Sequence, residues 1–126
     1  MMSRNSPKKE GSVMDLNVIV IAGRLAAEPE LTTFSSGARL LRLLVTVRSQ
    51  EPRRRIDVLP VVMWDPPDDS LAGELTRGMG VWVVGSVQRR FWSSEAGRTS
   101  RVEIVAHEVK PRQDTDANEG SSSDAV

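Results

Sequence analysis

The sequence predicts an all-β protein, a barrel of five strands with one short helix between the third and fourth strands. Short runs rich in β-branched residues recur along the chain, separated by clusters of Gly, Pro, Ser and Asp. Only one segment, after the third run, has the spacing of a helix. The five predicted strands are 17–22, 38–48, 56–64, 81–90 and 99–109.

The first two predicted strands flank residues 23–37, a segment rich in turn formers. The run N-V-I-V-I-A at 17–22 is short and β-branched, which favours a strand. The run at 38–48 fits either a helix or a strand. We favour a strand, because alternate apolar residues then share one face of a sheet. These residues are Leu41, Leu43, Val45 and Val47.

The third predicted strand, 56–64, contains Pro60 and ends at Trp64. Proline cannot donate a hydrogen bond to a neighbouring strand. Pro60 therefore predicts that this strand is an edge strand or contains a bulge.

The predicted helix follows the break D-P-P-D-D-S. Asp69 or Ser70 is expected to cap its start, and Gly78 to end it. Leu71 and Leu75 lie one helical turn apart, so we expect both to plug one end of the barrel.

The last two predicted strands, 81–90 and 99–109, are joined by a predicted turn at 93–98. Phe91 and Trp92 stand just before this turn, although the chain has only three Trp, two Phe and no Tyr. If the fourth strand continues, the two rings point to opposite faces. Bulky rings near a turn favour a ligand surface over the core.

The order β-β-β-α-β-β is that of the OB-fold, a small five-stranded Greek-key barrel that binds oligonucleotides and oligosaccharides. We expect this domain to occupy residues 15–112. Residues 1–14 and 113–126 are poor in apolar side chains, and we expect a disordered N-terminal extension and a disordered acidic tail. Translation that starts at Met14 is one hypothesis for the extension.

The charge of the chain is balanced overall but unevenly distributed. The 126 residues carry 17 basic and 17 acidic groups, and 14 of the basic groups are Arg. Residues 15–112 carry 14 basic and 12 acidic groups, so the predicted domain is slightly basic. No apolar run approaches the ~20 residues that span a bilayer, and no secretory signal precedes the domain. We therefore expect a cytoplasmic, nucleoid-associated protein without a membrane partner.

The sequence offers little for catalysis or metal binding. His107 is the only histidine and there is no cysteine, so the usual zinc sites are excluded. Asp65, Asp68 and Asp69 precede the predicted helix, a position more typical of helix capping than of metal binding. There is no phosphate-binding glycine loop and no nucleophile elbow. We predict a protein that is not an enzyme and that has no cofactor and no metal.

The residues favour binding of single-stranded nucleic acid, which needs a basic groove and rings on which bases stack. Trp92 is the predicted stacking ring, while Trp64 fits core packing or stacking. Trp82, among valines, is predicted to lie in the core or in an interface, and Phe34 to anchor a loop. Phe91 is assigned to packing or to a subunit contact. The arginines near these rings or before the third strand are Arg89, Arg90, Arg98, Arg101, Arg53, Arg54 and Arg55.

Several segments in order resemble bacterial single-stranded DNA-binding proteins. The stretch N-V-I-V-I-A-G-R-L-A-A-E-P-E-L, followed by S-S-G-A, resembles the opening of that family. V-V-M-W, L-A-G-E-L-T-R-G-M-G-V-W-V-V-G-S-V and R-R-F-W-S-S-E-A-G-R resemble its third strand, its helix with the fourth strand, and its aromatic hairpin. The resemblance covers residues 15–110.

The resemblance implies an OB-fold that binds single-stranded DNA without sequence preference in replication, recombination and repair. It implies a homo-oligomer, with a tetramer favoured and a dimer left open. Trp64 and Trp92 carry over as stacking rings and Arg90 as a backbone contact, while Arg24 and Arg48 match less closely.

Three departures indicate a divergent or accessory member of that family. Val58 stands where an aromatic is common, and W-D-P-P-D-D adds negative charge near Trp64. The acidic tail lacks the family's apolar tip, which leaves recruitment of replication or repair proteins open. The alternative is an OB-fold protein-interaction module, primosome-like or a scaffold, with weak nucleic-acid binding.

Overall fold

A computed structural model describes residues 14–67 and 69–113, which form six strands and one helix. The predicted N-terminal extension, apart from Met14, and the predicted acidic tail, apart from Gln113, lie outside the described residues. The elements are β1 (Ile19–Leu25), β2 (Glu30–Thr33), β3 (Arg39–Ser49), β4 (Arg55–Trp64), α1 (Asp69–Glu74), β5 (Gly80–Ser94) and β6 (Gly97–Pro111).

Five of these strands close into the predicted barrel. The order around it is β1-β5-β6-β4-β3, and β1 pairs again with β3 through Arg24 and Leu25. All neighbours are antiparallel except β4 and β6, which run parallel at Val61 and Val62. Within the described residues, the short strand β2 pairs with the start of β3 and with no other strand. The all-β barrel, consistent with an OB-fold, and the single helix between the third and fourth barrel strands, β4 and β5, are confirmed.

The barrel core is built from the side chains that alternate along the strands. Leu41, Leu43 and Val45 of β3 are buried, and Val47 packs against them, so the face predicted from the sequence is correct. Leu75 is buried directly after α1, and Leu71 packs on the same core. The two leucines therefore close one end of the barrel as predicted.

Pro60 lies inside β4, opposite Leu44 of β3. The pairing of β4 with β6 begins only at Val61. Among the described residues, the segment of β4 that ends at Pro60 thus has a strand neighbour on one side, as an edge position predicts.

The helix is shorter than the sequence predicts. It ends at Glu74 instead of reaching Gly78. The chain turns there because the N–H of Met79 donates to the carbonyl of Thr76 at 3.1 Å, and Gly78 adopts a positive φ of 90°. The predicted caps Asp69 and Ser70 have side chains outside the description. α1 has six residues, and no helix in the described chain is long and apolar enough to cross a membrane.

The hairpin of β5 and β6 is longer than predicted. Its turn is confined to Glu95 and Ala96, followed by Gly97 with a φ of 115°. Every residue from 87 to 99 is exposed. We call residues 87–103, which extend the hairpin beyond the barrel, the arm. Phe91 and Trp92 lie inside its strand pairing, opposite Ser100 and Thr99.

Trp82 does not lie in the core, so this part of its prediction is wrong. Its side chain is 45% exposed, on the outer face of β5 opposite Ala22. The guanidinium of Arg112 lies 5.8 Å from its ring centre. Alternation among valines does not distinguish the inner from the outer face, because Val84 also lies outside.

Two glycines allow strands to approach where a side chain would not fit. A Cβ at Gly23 would collide with the carbonyl oxygen of Thr46, and a Cβ at Gly85 with that of Val105. Gly85 lies at a bulge between β5 and β6.

We predict that Gly85→Ala lowers the free energy of unfolding by about 3 kcal/mol, the upper end for overpacking, because the colliding atom is backbone. Gly73→Ala is the control, since a Cβ there meets nothing within 4 Å. Replacing this helical glycine is expected to change stability by less than about 1 kcal/mol, in the stabilising direction. Urea titration of both variants measures the difference, and equal effects would contradict the assignment.

Candidate nucleic-acid interface

The outer face of the arm carries Trp92 between two arginines. Arg90 of β5 lies opposite Arg101 of β6, and Trp92 lies opposite Thr99. Residues directly opposite in an antiparallel pair share a face, so these side chains point to the same side. The guanidinium of Arg101 lies 5.5 Å from the Trp92 ring centre. The ring is 40% exposed and accessible to a ligand.

Trp64 extends the same surface from the end of β4. Its ring is 42% exposed and stacks on Phe34 with 5.9 Å between ring centres and 29° between planes. The guanidinium of Arg90 lies 6.0 Å from the Trp64 ring centre. Arg90 therefore links Trp64 to the arm. We call Phe34, Trp64, Arg90, Trp92 and Arg101 the stacking face.

The local fold brings Phe34 to this surface. The N–H of Phe34 donates to the carbonyl of Ala38 at 2.8 Å, which closes the turn between β2 and β3. Gly37 in that turn has a φ of 95°. Two residues after Ala38, Leu40 is paired with Trp64, so the turn lies at the same end of the sheet as Trp64.

A groove of about 330 Å³ lies beside the stacking face. Its charged lining consists of three arginines and three carboxylates, namely Arg42, Arg90, Arg101, Glu28, Glu30 and Glu103. Arg90 forms an ion pair with Glu103 at 3.4 Å, and Arg42 donates to Thr32 Oγ1 at 3.2 Å. The groove is close to neutral, so it attracts phosphate less than a purely basic groove would.

The opposite face of the arm carries Phe91 and the other predicted arginines. Arg98 lies 4.7 Å from the Phe91 ring centre, and Arg89 donates to Ser100 Oγ at 3.1 Å. Phe91 and Trp92 thus point to opposite sides, in agreement with the alternation. Arg89 and Arg98 do not join Trp92 on the stacking face.

The remaining predicted arginines lie at the far end of the barrel. Arg48 of β3 is paired with Ile56 of β4, whereas Trp64 is paired with Leu40. From position 40 to position 48, β3 extends by about 26 Å at its usual rise per residue. Arg24 is close to this end because it pairs with Thr46.

Arg53 and Arg54 lie in the loop between β3 and β4, and Arg55 is the first residue of β4, also at the far end. The Arg55 guanidinium donates to both carboxylate oxygens of Asp57, at 2.9 and 3.1 Å. This hydrogen bond, followed by the charge of Asp57, raises the pKa of Arg55 above its ordinary value. The same hydrogen bond lowers the pKa of the Asp57 carboxyl. Arg55 is therefore partly neutralised by its own strand.

The acidic loop after Trp64 has a structural role. Asp65 has a positive φ of 47°, and its carboxylate accepts the backbone N–H of Arg39 at 2.9 Å. The guanidinium of Arg39 in turn donates to the carbonyl of Pro66 at 2.8 Å. Within the described chain, no group of three or more His, Cys, Asp or Glu side chains is placed to hold a metal ion. Asp68 lies outside the description.

His107 shows no arrangement for catalysis in the described residues. Its Nε2 lies 3.4 Å from Ser86 Oγ, and the residue is exposed at the bulge opposite Val84 and Gly85. Ser86 Oγ also accepts a hydrogen bond from Gln88 Nε2 at 3.2 Å.

The sequence reasoning missed two residues of this region. Phe34 was expected to anchor a loop, but it stacks on Trp64. Arg42 lines the groove, although the sequence analysis placed it in the second predicted strand without a binding role. Alternation along β3 could have identified Arg42, because it falls on the face opposite Leu41 and Leu43.

Comparison with known proteins identifies the family of this chain. The family model described as the single-strand binding protein family matches residues 16–111. The single-stranded DNA-binding protein of Oceanobacillus iheyensis is 31% identical over 100 residues, which cover 75% of this chain and 62% of that protein. The protein of the same name from Clostridium tetani is also 31% identical over 100 residues, with 75% and 69% covered.

A further relative is the single-stranded DNA-binding protein 2 of Listeria innocua, 28% identical over 113 residues, with 86% of this chain and 71% of that protein covered. The matched region thus spans 62–71% of the length of these three relatives. Because the family model covers β1 through β6, including the arm, the chain belongs to the single-strand binding protein family.

Proposed function

We propose that this protein binds single-stranded DNA without sequence preference and protects it in replication, recombination and repair. The observation that carries the proposal is the stacking face, where two half-exposed tryptophans each lie within about 6 Å of an arginine. Family membership and the names of the relatives support the same ligand. The protein is proposed to act in the cytoplasm, at the nucleoid, without catalysis.

The chemistry of the stacking face explains the expected lack of sequence preference. Every base has a π-face, and each base stacked on an aromatic ring contributes roughly 1–3 kcal/mol. Trp64 and Trp92 provide such rings, while Arg90 and Arg101 provide planar cations that stack on rings or hold phosphate. No base edge needs to be read.

The apolar surface formed by Val20 of β1 and by the residues just before that strand supports a homo-oligomer, with a tetramer as the expected state and a dimer as the alternative. Val18 and Val20 are 60% and 59% exposed, and Met14 and Leu16 before them are more exposed still. Val20 lies opposite Val84 of β5, so the apolar surface continues onto the next strand. A contiguous apolar surface of this kind is typical of an interface between proteins.

A second candidate function is a protein-interaction module with weak nucleic-acid binding. The near-neutral groove favours it, because Glu28, Glu30 and Glu103 oppose phosphate as well as attract basic peptides. The stacking face favours DNA. Titration with oligonucleotides separates the two candidates.

We predict that Trp92→Ala weakens binding of a short oligothymidylate of about six nucleotides by roughly 1–3 kcal/mol, the contribution of one stacked base. Anisotropy of the labelled oligonucleotide at low salt measures it. Trp82→Ala is the matched control, because Trp82 is equally exposed but lies away from the stacking face. Equal losses in both variants, or no binding by the unmodified protein, would contradict the proposal.

We also predict that Val18→Asp reduces the oligomeric state, because a carboxylate would be buried in the apolar interface. Light scattering measures the mass, and Ile56→Asp is the control. Ile56 has the same exposure, 62% against 60%, but lies on the outer face of the β3–β4 sheet. An unchanged mass in Val18→Asp would exclude the face of β1 as the interface.

A further inference from the structure

We propose that Asp65 is a positioning residue of the stacking face, which holds the Trp64 ring where a base can stack on it. The proposal rests on the proposed single-stranded DNA binding and deepens it, because it gives a role in binding to a residue that acts through its neighbour. It also explains how an acidic side chain can stand directly beside a ring that binds DNA.

The backbone leaves the direction of β4 at Asp65, immediately after Trp64. The φ of Asp65, 47°, lies in the left-handed region, which Asp and Asn adopt several-fold more often than most other residues. β4 therefore ends at Trp64, and two prolines follow in the loop. Because the end residues of an element open most easily, the Trp64 ring needs a contact that keeps its residue paired.

The side chain of Asp65 supplies that contact. The register that pairs Leu40 with Trp64 would next pair Arg39 with residue 65, and such a pair can exchange two backbone hydrogen bonds. One of them is present, from the N–H of Asp65 to the carbonyl of Arg39 at 2.7 Å. In place of the other, the N–H of Arg39 donates to Asp65 Oδ1 at 2.9 Å. A carboxylate oxygen thus takes the place of the backbone carbonyl of residue 65.

Arg39 also connects Asp65 to the turn that carries Phe34. Ala38, the residue before Arg39, accepts the N–H of Phe34 at 2.8 Å. Two consecutive residues therefore hold the two segments whose rings stack, with 5.9 Å between the ring centres of Phe34 and Trp64. If the Asp65 contact were lost, the turn with Phe34 would stay closed and the Trp64 ring would be free to leave the stack.

The same contacts reduce the electrostatic cost of an acidic residue at this position. The Asp65 carboxylate accepts a backbone N–H, and the guanidinium of Arg39 stays in the same loop, where it donates to the carbonyl of Pro66 at 2.8 Å. A positive charge therefore accompanies the negative charge beside Trp64. Repulsion of a phosphate near the ring is smaller than an isolated carboxylate would cause.

The property that this role needs is a hydrogen-bond acceptor that tolerates a positive φ. Asp65→Asn keeps both, because the amide oxygen of Asn accepts a hydrogen bond and Asn adopts the left-handed region readily. Asp65→Ala loses the acceptor and places a less tolerant residue at this φ. The two variants therefore separate the hydrogen bond from the charge.

The first measurement follows the Trp64 ring in the absence of DNA. In the background Trp82→Phe/Trp92→Phe, Trp64 is the sole tryptophan. We expect Asp65→Ala to increase the quenching of its fluorescence by acrylamide, because the ring leaves Phe34 and becomes more exposed. Asp65→Asn is expected to leave the quenching unchanged. Equal quenching in Asp65→Ala and in the background protein would overturn the proposal.

The second measurement is the binding of an oligothymidylate of about six nucleotides at low salt. We expect Asp65→Ala to weaken it by about fivefold or more, the lower end of the contribution of one stacked base. Asp65→Asn is expected to stay within about twofold of the unmodified protein. An equal loss in both variants would assign the effect to the charge, and tighter binding by both would indicate a carboxylate that only repels phosphate. Either result would overturn the proposal.

A double-mutant cycle separates positioning from a general loss of stability. In the Trp64→Ala background, Asp65→Ala is expected to change binding by less than about twofold, because the ring through which it acts is gone. A residue with a purely structural role would weaken binding equally in both backgrounds, which would contradict the proposal.

Asp57→Ala is the matched control. Asp57 is an aspartate of the same strand whose carboxylate also accepts hydrogen bonds, from Arg55, but it lies toward the opposite end of β4 from Trp64. We expect it to leave the binding of the short oligonucleotide unchanged. A loss as large as that of Asp65→Ala would show that any disturbance of β4 suffices, and the assignment of Asp65 would fail.

If circular dichroism shows that Asp65→Ala does not fold, Asp65→Gly takes its place. Glycine adopts a positive φ without strain and still lacks the acceptor, so the same increase in quenching and the same loss of binding are expected.

The two proposals fail in different ways. Absence of binding by the unmodified protein would reject the proposed function, and with it the role of Asp65 in binding. Binding by the unmodified protein together with unchanged quenching and affinity in Asp65→Ala would leave the proposed function in place and reject only the role of Asp65.

Discussion

The closure of the barrel at two glycines is the constraint on which the other features depend. Gly23 lies against the backbone of Thr46, and Gly85 against that of Val105. Without the first approach, the pairs at Arg24 and Leu25 would be lost, and β1 and β3 would present open edges. The second coincides with a bulge, which bends a strand and increases its twist.

The arm extends beyond the barrel and therefore packs on no hydrophobic core. Alternation still places side chains on two faces, but both faces meet solvent. The two exposed rings of the arm instead contact arginines: Arg98 lies over Phe91, and Arg101 lies over Trp92. Exposed cation–π contacts of this kind contribute about 0.5–1 kcal/mol each. The rings of the arm thus add little to folding and remain available for a ligand.

The sequence alone predicted the features that depend on the spacing of apolar residues along one segment. Period-two apolar patterns identified the inner face of β3, and the spacing of Leu71 and Leu75 identified the plug of the barrel. The length of the arm was underestimated because its strands are exposed on both faces, so no alternation of buried apolar residues marks them. β2 was missed because its four residues lie among turn formers and none is fully buried.

Contacts between distant residues could not be read from local patterns. Phe34 and Trp64 stack because β2, β3 and β4 are adjacent, which depends on register. Trp82 resembled a core residue because its neighbours are valines, yet only the strand pairing shows that it faces outward.

The balance of charge bears on how the proposed DNA binding selects single strands. A strongly basic surface would attract any polyphosphate, including duplex DNA, whose charge density is higher. Here the groove near Trp64 is lined by three arginines and three carboxylates, so its net attraction to phosphate is weak. Binding must then draw on the rings, and only unpaired bases can stack on them. The carboxylates that lower affinity for phosphate are therefore expected to raise the preference for single strands.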